Sequence, residues 1–202
     1  MVTKRKLVAG VLAATMLVGV AAGYLALRPT LPGGAIENGM DGVFLSMPVM
    51  FGDRVYAEGP TFRNVSHRPI TIESVSALEN PEGVELVDVR VYQTKDFPDE
   101  APPAAWSSSD ESLADSDPAE RPSHSVVGST IAPGEQLASG SGKLILVEFR
   151  TVKPGIWRWP GVQVKYKQDG LVYKVGVGPT YELMIARNPV EWERFATDPR
   201  EP

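Results

Sequence analysis

One uncharged stretch near the beginning of the chain constrains its fold more than any other feature. Residues 7–27 contain no charged side chain, and Lys4, Arg5 and Lys6 come immediately before them. As a helix rising about 1.5 Å per residue, this stretch spans roughly 30 Å, which is the thickness of a bilayer's hydrocarbon core. We therefore predict a transmembrane anchor at residues 7–27, in contact with the lipid bilayer, and a cytoplasmic basic stub at residues 1–6.

The basic residues before the stretch also predict its orientation. Positive charge is retained on the cytoplasmic side, so we expect a single-pass protein of the cell membrane with its N-terminus inside and its C-terminal domain extracytoplasmic. A cleaved signal peptide is the alternative, with Ala21-Ala22-Gly23 as its cleavage site, although such peptides carry an apolar region of only about 7–15 residues. Both alternatives export everything after Arg28.

The exported part is acidic and has no cysteine. The first 28 residues carry four basic side chains and no acid, which leaves a net charge of −9 on the rest of the chain. Nucleic acid is bound through basic surfaces, so we expect no nucleic-acid partner. The absence of cysteine excludes disulfides and thiolate ligands, and it favours a bacterial envelope over an animal secreted protein.

Short apolar runs separated by turn residues follow from Gly42 onwards. In the clearest case, residues 162–167 and 171–177 alternate apolar and polar side chains on either side of Asp169-Gly170. Both turn residues tolerate a positive φ, so this pattern predicts a β-hairpin. We count seven to nine such strands, at a spacing typical of an antiparallel sandwich, and predict an all-β domain over residues 42–187.

Three segments differ from this pattern. Residues 28–41 are rich in proline and glycine and predict a linker between the anchor and the domain. Residues 96–123 are acidic, with eight acids and no base between positions 96 and 120, which predicts a mobile insertion that buries too little apolar surface to become ordered. In the tail, residues 188–202, the sequence Asn-Pro-Val-Glu at positions 188–191 predicts the start of a short helix.

Two stretches carry a resemblance to a known kind of domain. PGIWRWPGVQVKYKQDGLVYKV resembles the last strands of immunoglobulin-like extracytoplasmic domains, in which a Pro-Gly turn precedes an aromatic residue and a G-[VI]-x-V-x-Y strand. FRNVSHRPITIESVSAL is similar to the opening of such domains. The resemblance covers about residues 42–187 and lacks the inter-sheet cysteines. It implies an immunoglobulin-like antiparallel β-sandwich of a membrane-anchored bacterial protein.

Four aromatic side chains are candidates for contact with a partner. Trp157 and Trp159 fall on one face of any strand that they share, and exposed aromatic pairs anchor protein partners; packing in the core beside Pro154-Gly155 is the alternative. The predicted terminal helix would bury Trp192 or Phe195 against the sandwich or a partner. Since an anchor, a spacer and a sandwich make a binding architecture, we expect a non-catalytic, extracytoplasmic binding or accessory module that engages an envelope or membrane protein and needs no cofactor.

A copper-handling protein of the envelope is the alternative function. Met40, Met47, Met50 and His67 lie near one another in the sequence, and thioether sulfurs with an imidazole suit Cu(I). Against this, Met47 and Met50 are three residues apart, which puts them on opposite faces of a regular strand. Enzymatic activity is not expected, because no Gly-x-Ser-x-Gly elbow accompanies Ser123-His124.

Overall fold

The computed structural model describes residues 30–97, 105–109, 115–140 and 142–197, and β-strands dominate these residues. In chain order the strands are β1 (Leu31–Pro32), β2 (Ile36–Asn38), β3 (Phe44–Met50), β4 (Arg54–Glu58), β5 (Phe62–Asn64), β6 (Ile70–Ala77), β7 (Val84–Gln93), β8 (Ala105–Ser107), β9 (Ser123–Ser125), β10 (Thr130–Ile131), β11 (Gln136–Leu137), β12 (Lys143–Thr151), β13 (Gly155–Trp159), β14 (Val162–Gln168), β15 (Leu171–Val177) and β16 (Thr180–Ala186). One α-helix of the described part, α1 (Pro189–Thr197), follows the last strand. Short 3-10 turns lie at Thr94–Asp96 and Pro118–Glu120.

Two layers of strands face each other across one core. One layer is the antiparallel sheet β8-β4-β12-β7-β9. The other contains β1-β15-β14-β6-β10 and β13-β16-β3, and a small sheet, β11-β5-β2, lies beside them. Along β7, Val89 and Val91 are buried in the core while Asp88 and Arg90 are not, because successive side chains of a strand face opposite sides. The predicted all-β sandwich is confirmed at this level.

The pairing is not purely antiparallel, which corrects the sequence-based expectation. β1 runs parallel to β15, and β3 runs parallel to β16. Each pair joins strands far apart in the chain, so no tight turn imposes an antiparallel arrangement. The described residues also form sixteen strands rather than seven to nine. Gly161 and Gly178, with φ of 102° and 108°, divide two long runs into β13 with β14 and β15 with β16, and several edge strands are only two or three residues long.

The hairpin and the terminal helix are confirmed. Asp169 and Gly170, which connect β14 and β15, have φ of 50° and 81°. At the start of α1, Asn188 Oδ1 accepts a hydrogen bond from the Glu191 N–H at 3.0 Å. The Glu191 carboxylate in turn accepts from the Arg187 N–H at 2.7 Å. Both features depend on residues within four positions of each other, which is why the local sequence predicted them.

Part of the predicted linker packs onto the sandwich. Ala35 and Ile36 are buried in the main core, and β1 and β2 pair with β15 and β5. The Ala35 N–H donates to the Tyr166 hydroxyl at 3.1 Å. Gly33 permits this approach, because a Cβ at that position would lie 2.5 Å from the same hydroxyl oxygen. The packed domain therefore begins at about Leu31, earlier than the boundary predicted at residue 42.

The described parts of the predicted insertion, residues 96–97, 105–109 and 115–123, lie along the β8-β4-β12-β7-β9 sheet. Trp106 of β8 is 4% exposed and meets the Tyr56 ring edge-on, with centroids 5.6 Å apart. It belongs to a cluster on the outer face of the sheet that consists of Tyr56, Tyr92, Phe97, Trp106, Leu144 and Leu146. This packing was not predicted, because the prediction rested on the acidic composition of the whole segment and gave no weight to its single tryptophan. The mobility of the insertion stays a prediction.

A buried carboxylate holds β8 in place. Asp53 accepts hydrogen bonds from the hydroxyls of Ser107, Ser108 and Ser109, the last at 2.7 Å. It also accepts from the Met50 N–H at 2.9 Å. Four donors therefore converge on one side chain, which ties the segment to the turn between β3 and β4.

The predicted anchor at residues 7–27 lies outside the described residues. Within the described ranges, no helix is long and apolar enough to cross a membrane. The anchor and its alternative, a cleaved signal peptide, both stay predictions.

Candidate binding surfaces

The two tryptophans of β13 face the core. Trp159 is fully buried, stacks on Tyr181 with centroids 5.5 Å apart, and meets Phe149 edge-on at 5.2 Å. Trp157 is half-buried against the core, and its Nε1 donates to the Lys153 carbonyl at 3.0 Å. This placement corresponds to core packing, the alternative to an exposed aromatic pair.

The two aromatic residues of α1 have different environments. Phe195 is buried with Met184 and Ala186 of β16, so it attaches the helix to the sandwich. Trp192 is 37% exposed and Val190 is 77% exposed. Of the four aromatic candidates, Trp192 is the one that keeps a substantially exposed face for a partner.

The four candidate copper ligands are distributed over separate surroundings. Met47 packs against the main core, whereas Met50 packs beside α1 in another cluster, as their three-residue spacing predicts. Met40 is half-buried ahead of β3, and His67 is exposed in the turn between β5 and β6. Within the described ranges, no group of three or more His, Asp or Glu side chains is arranged to hold a metal ion.

An open cleft of about 290 Å³ lies on the outer face of the β8-β4-β12-β7-β9 sheet. Strands β4, β7 and β12 form its floor, and the 3-10 turn before β9 forms its rim. The cleft is lined by Arg54, Tyr56, Arg90, Tyr92, Pro118, Ala119, Arg121, Ser123 and Glu148. We call it the arginine cleft. Outward-facing positions on neighbouring strands lie side by side, which brings together residues that are distant in the sequence.

Two arginines of the cleft are paired with acids. Arg90 donates to the Asp88 carboxylate and to the Ser123 hydroxyl, both at 2.9 Å. Arg54 Nη2 lies 3.7 Å from the Asp117 carboxylate. Their charges are therefore largely balanced within the protein.

Arg121 and Glu148 also line the cleft, but neither forms an ion pair with a described residue. Arg121 donates to the Asp115 carbonyl, and its guanidinium lies 6.0 Å from the centroid of the Phe97 ring. Its Nε is buried and has no hydrogen-bond partner among the described residues. Among the residues that the structure describes, Arg121 has no carboxylate and Glu148 has no cation at ion-pair distance. A buried guanidinium N–H without an acceptor is unfavourable.

Burial raises the pKa of both tyrosine hydroxyls that line the cleft. For Tyr56, burial is the main cause of the raised pKa, and the negative charge of Glu148 adds to it. For Tyr92, burial again dominates, while a hydrogen bond with Ser123 acts in the opposite direction on the pKa. Both hydroxyls therefore stay protonated at neutral pH and can donate hydrogen bonds.

Sequence reasoning did not find the arginine cleft. Its residues come from three strands and from the segment predicted to be a mobile insertion, so no short window of the sequence contains the set. The available signal is the alternation Arg54-x-Tyr56 and Asp88-x-Arg90-x-Tyr92, which predicts a polar and aromatic outer face. That signal does not reveal that the two runs lie on the same sheet.

An apolar groove of about 270 Å³ runs along the edge of β3. It is lined by Phe44, Leu45, Ser46, Met47, Ala57, Ala105, Tyr181 and Leu183. We call it the seam, because β3 and β8 are edge strands of the two opposing layers. Phe44 is 46% exposed there, and the Arg158 guanidinium lies 4.7 Å from the centroid of its ring.

Among the strands that the structure describes, β3 pairs with β16 alone. Its register with β16 is uninterrupted, and the Val43 carbonyl and the Phe51 N–H, at its two ends, both bond toward β16 at 2.8 Å. Because a parallel ladder uses alternate residues, the backbone groups of Phe44, Ser46 and Pro48 point away from β16. Proline has no N–H, so Phe44 and Ser46 supply the outward donors of this edge.

Comparisons with known proteins give distant structural similarity. The chain matches no protein-family model and no curated protein. Among solved structures it is similar to the VesB protease of Vibrio cholerae, with a TM-score of 0.35 and 7% identity over 75% of this chain and 32% of that one. It is also similar to the PapD-like domain 7 of human CEP192, with a TM-score of 0.38 and 9% identity over 80% and 92% of the two chains. A family 123 glycoside hydrolase from Clostridium perfringens gives a TM-score of 0.30 and 10% identity over 72% and 23%.

The chain spans about a third of the length of the protease and about a quarter of that of the glycoside hydrolase. These TM-scores are too low to transfer a fold or a function to this chain.

Proposed function

We propose that this chain is a non-catalytic binding module of the bacterial envelope, anchored in the cell membrane by residues 7–27 with its sandwich outside the cell. In this proposal it engages a protein partner along the seam. The observation that carries the proposal is the edge of β3 that no described strand covers, which lies beside an apolar groove. Unpaired strand edges next to side-chain pockets are surfaces on which a sheet accepts a further strand.

The strand order supports an immunoglobulin-like arrangement within this proposal. β4-β12-β7 occupy the middle of one sheet and β6-β14-β15 the middle of the other, in the same order as strands B-E-D and C-F-G of immunoglobulin domains. β3 then takes the position of the first strand, parallel to the last one. Such a sandwich is a rigid platform whose first strand is available for binding.

The occupant that fits the seam is an extended segment of a partner protein with apolar side chains at alternate positions. Its backbone would pair with Phe44 and Ser46, and every second side chain would contact Leu45 and Met47. Pro48 ends the row of outward donors, so the added strand pairs with a short stretch. A contact of this size predicts a weak, reversible complex rather than an obligate one.

Two substitutions at one position separate backbone pairing from side-chain effects. Ser46→Pro removes an outward N–H of β3, whereas Ser46→Ala keeps the N–H and loses the exposed hydrogen bond to Glu182 at 2.9 Å. A photo-cross-linking residue in place of Phe44, in the full chain in native membranes, captures the partner for quantification by mass spectrometry. We expect Ser46→Ala to retain the cross-linked product and Ser46→Pro to lose about 10-fold or more of it, because proline removes a hydrogen bond and blocks the edge.

Val87 provides the matched control for the position of the cross-linker. It is 49% exposed on β7, in the opposite layer, and should give little of the same product. Equal capture from positions 44 and 87, or equal losses in the Ser46→Pro and Ser46→Ala variants, would contradict the proposal. Thermal unfolding of both variants tests whether they remain folded.

A further inference from the structure

The arginine cleft supports a second inference that does not depend on the seam. Arg54 and Arg90 have acidic partners inside the protein. Arg121 and Glu148 line the same cleft, and neither has a partner of opposite charge among the described residues. The cleft thus presents one positive and one negative group that do not neutralise each other.

This arrangement discriminates between classes of ligand. A simple anion would be attracted by Arg121 but repelled by Glu148. A simple cation would be attracted by Glu148 but repelled by Arg121. A molecule that carries both charges satisfies both groups. We propose that the arginine cleft binds a small zwitterion of the amino-acid class, with its carboxylate at Arg121 and its ammonium group at Glu148.

The other lining groups suit the two ends of such a molecule. A guanidinium matches the geometry of a carboxylate, and Arg121 forms no ion pair with any described residue. At the negative end, Tyr56 lies directly opposite Glu148 in the β4–β12 pair and forms part of the floor of the cleft.

The volume of the cleft sets the size of the ligand. At about 290 Å³, it lies just below the range for drug-sized small-molecule sites, roughly 300–1,000 Å³. It therefore suits a single small molecule.

Titration calorimetry on the full chain in detergent micelles tests this inference with amino acids of increasing charge separation. The probes are glycine, β-alanine, γ-aminobutyrate and ε-aminohexanoate, and butyrate and butylammonium are the single-charge controls. We expect one zwitterion to bind at least about 10-fold more tightly than either control, because it contacts both charged groups. Arg121→Gln and Glu148→Gln should each weaken that binding about 10-fold or more.

Glu148→Gln also gives a result that general damage to the fold would not produce. Without the carboxylate, butyrate should bind more tightly than it does to the unmodified protein, because the repulsion is gone. Arg63→Gln is the control, since it removes an exposed arginine that pairs with Glu37 at 3.2 Å on other strands, and it should not change binding. If Arg121→Gln does not fold, Arg121→Lys replaces it and should bind more weakly than the unmodified chain.

Three results would overturn the inference. The first is the absence of binding by every zwitterion at millimolar concentration. The second is equal binding of zwitterion and butyrate, which would indicate a plain anion site. The third is an equal loss of binding in Arg63→Gln, which would indicate an effect that is not local to the cleft.

Discussion

Trp106→Ala should destabilise the domain by about 3–5 kcal/mol, the usual cost of removing a buried tryptophan. Trp106 is 4% exposed, so it buries nearly all of a side chain whose area is roughly 250 Å². At about 25 cal/mol per Å², this corresponds to about 6 kcal/mol, which is an upper limit because the unfolded chain already buries part of that area. The edge-on contact with Tyr56 is lost as well, so the substitution uncovers the outer face of the sheet.

Urea unfolding of the full chain in micelles, followed by circular dichroism, measures this loss without relying on tryptophan fluorescence. Trp192→Ala is the matched control, because Trp192 is 37% exposed and its removal should cost less than about 1 kcal/mol. Limited proteolysis should also cut Trp106→Ala faster within residues 96–123 than it cuts the control. If the two variants lose similar amounts of stability, the segment that carries Trp106 does not pack on the sheet in solution.

Three further outcomes follow from buried polar groups. Trp159→Phe should cost less than about 1.5 kcal/mol in urea unfolding, against about 3–5 kcal/mol for Trp159→Ala. The reason is that phenylalanine removes a buried Nε1–H that has no hydrogen-bond partner among the described residues. Equal losses for the two variants would contradict this. Asp53→Ala should cost about 2–3 kcal/mol and accelerate proteolysis of residues 96–123, because the donors that converge on Asp53 lose their acceptor; unchanged proteolysis would argue against its anchoring role. Burial raises the pKa of Tyr181, so the folded state prefers the neutral phenol, and its contribution to stability is complete below pH about 10 and lost as pH rises further. Phenolate absorbance and unfolding measured together should show Tyr181 ionising only as the domain unfolds, and early ionisation without unfolding would refute it.

Sequence reasoning succeeded where the determinants of an element are close together in the chain. The Asp169-Gly170 turn and the cap at Asn188 were both predicted, and the structure gives them the expected φ angles and hydrogen bonds. In the same way, the alternation along residues 162–167 and 171–177 indicated the two strands of the hairpin. A local conformational preference decides these features, and it is present in any fold that contains the segment.

Sequence reasoning failed where one contact outweighs the composition of a segment. The Pro/Gly content of residues 28–41 predicted a linker. Part of this segment packs on the sandwich instead, because Gly33 leaves space for the Tyr166 side chain beside the backbone. The acids of residues 96–123 predicted a solvated insertion, yet Trp106 and the serines that follow it attach the described parts to the sheet. Average composition does not report a single buried side chain, and here that side chain decides the packing.

The sequence alone determined the all-β class, the hairpin and the terminal helix, because each depends on neighbours in the chain. The tertiary structure decided which aromatic side chains are buried, so that Trp159 is in the core and Trp192 is partly exposed. It also decided the two proposed binding surfaces. The arginine cleft and the seam are both formed by residues from strands that are far apart in the chain. Which strands become neighbours, and in which register, is set by long-range packing that no local pattern encodes.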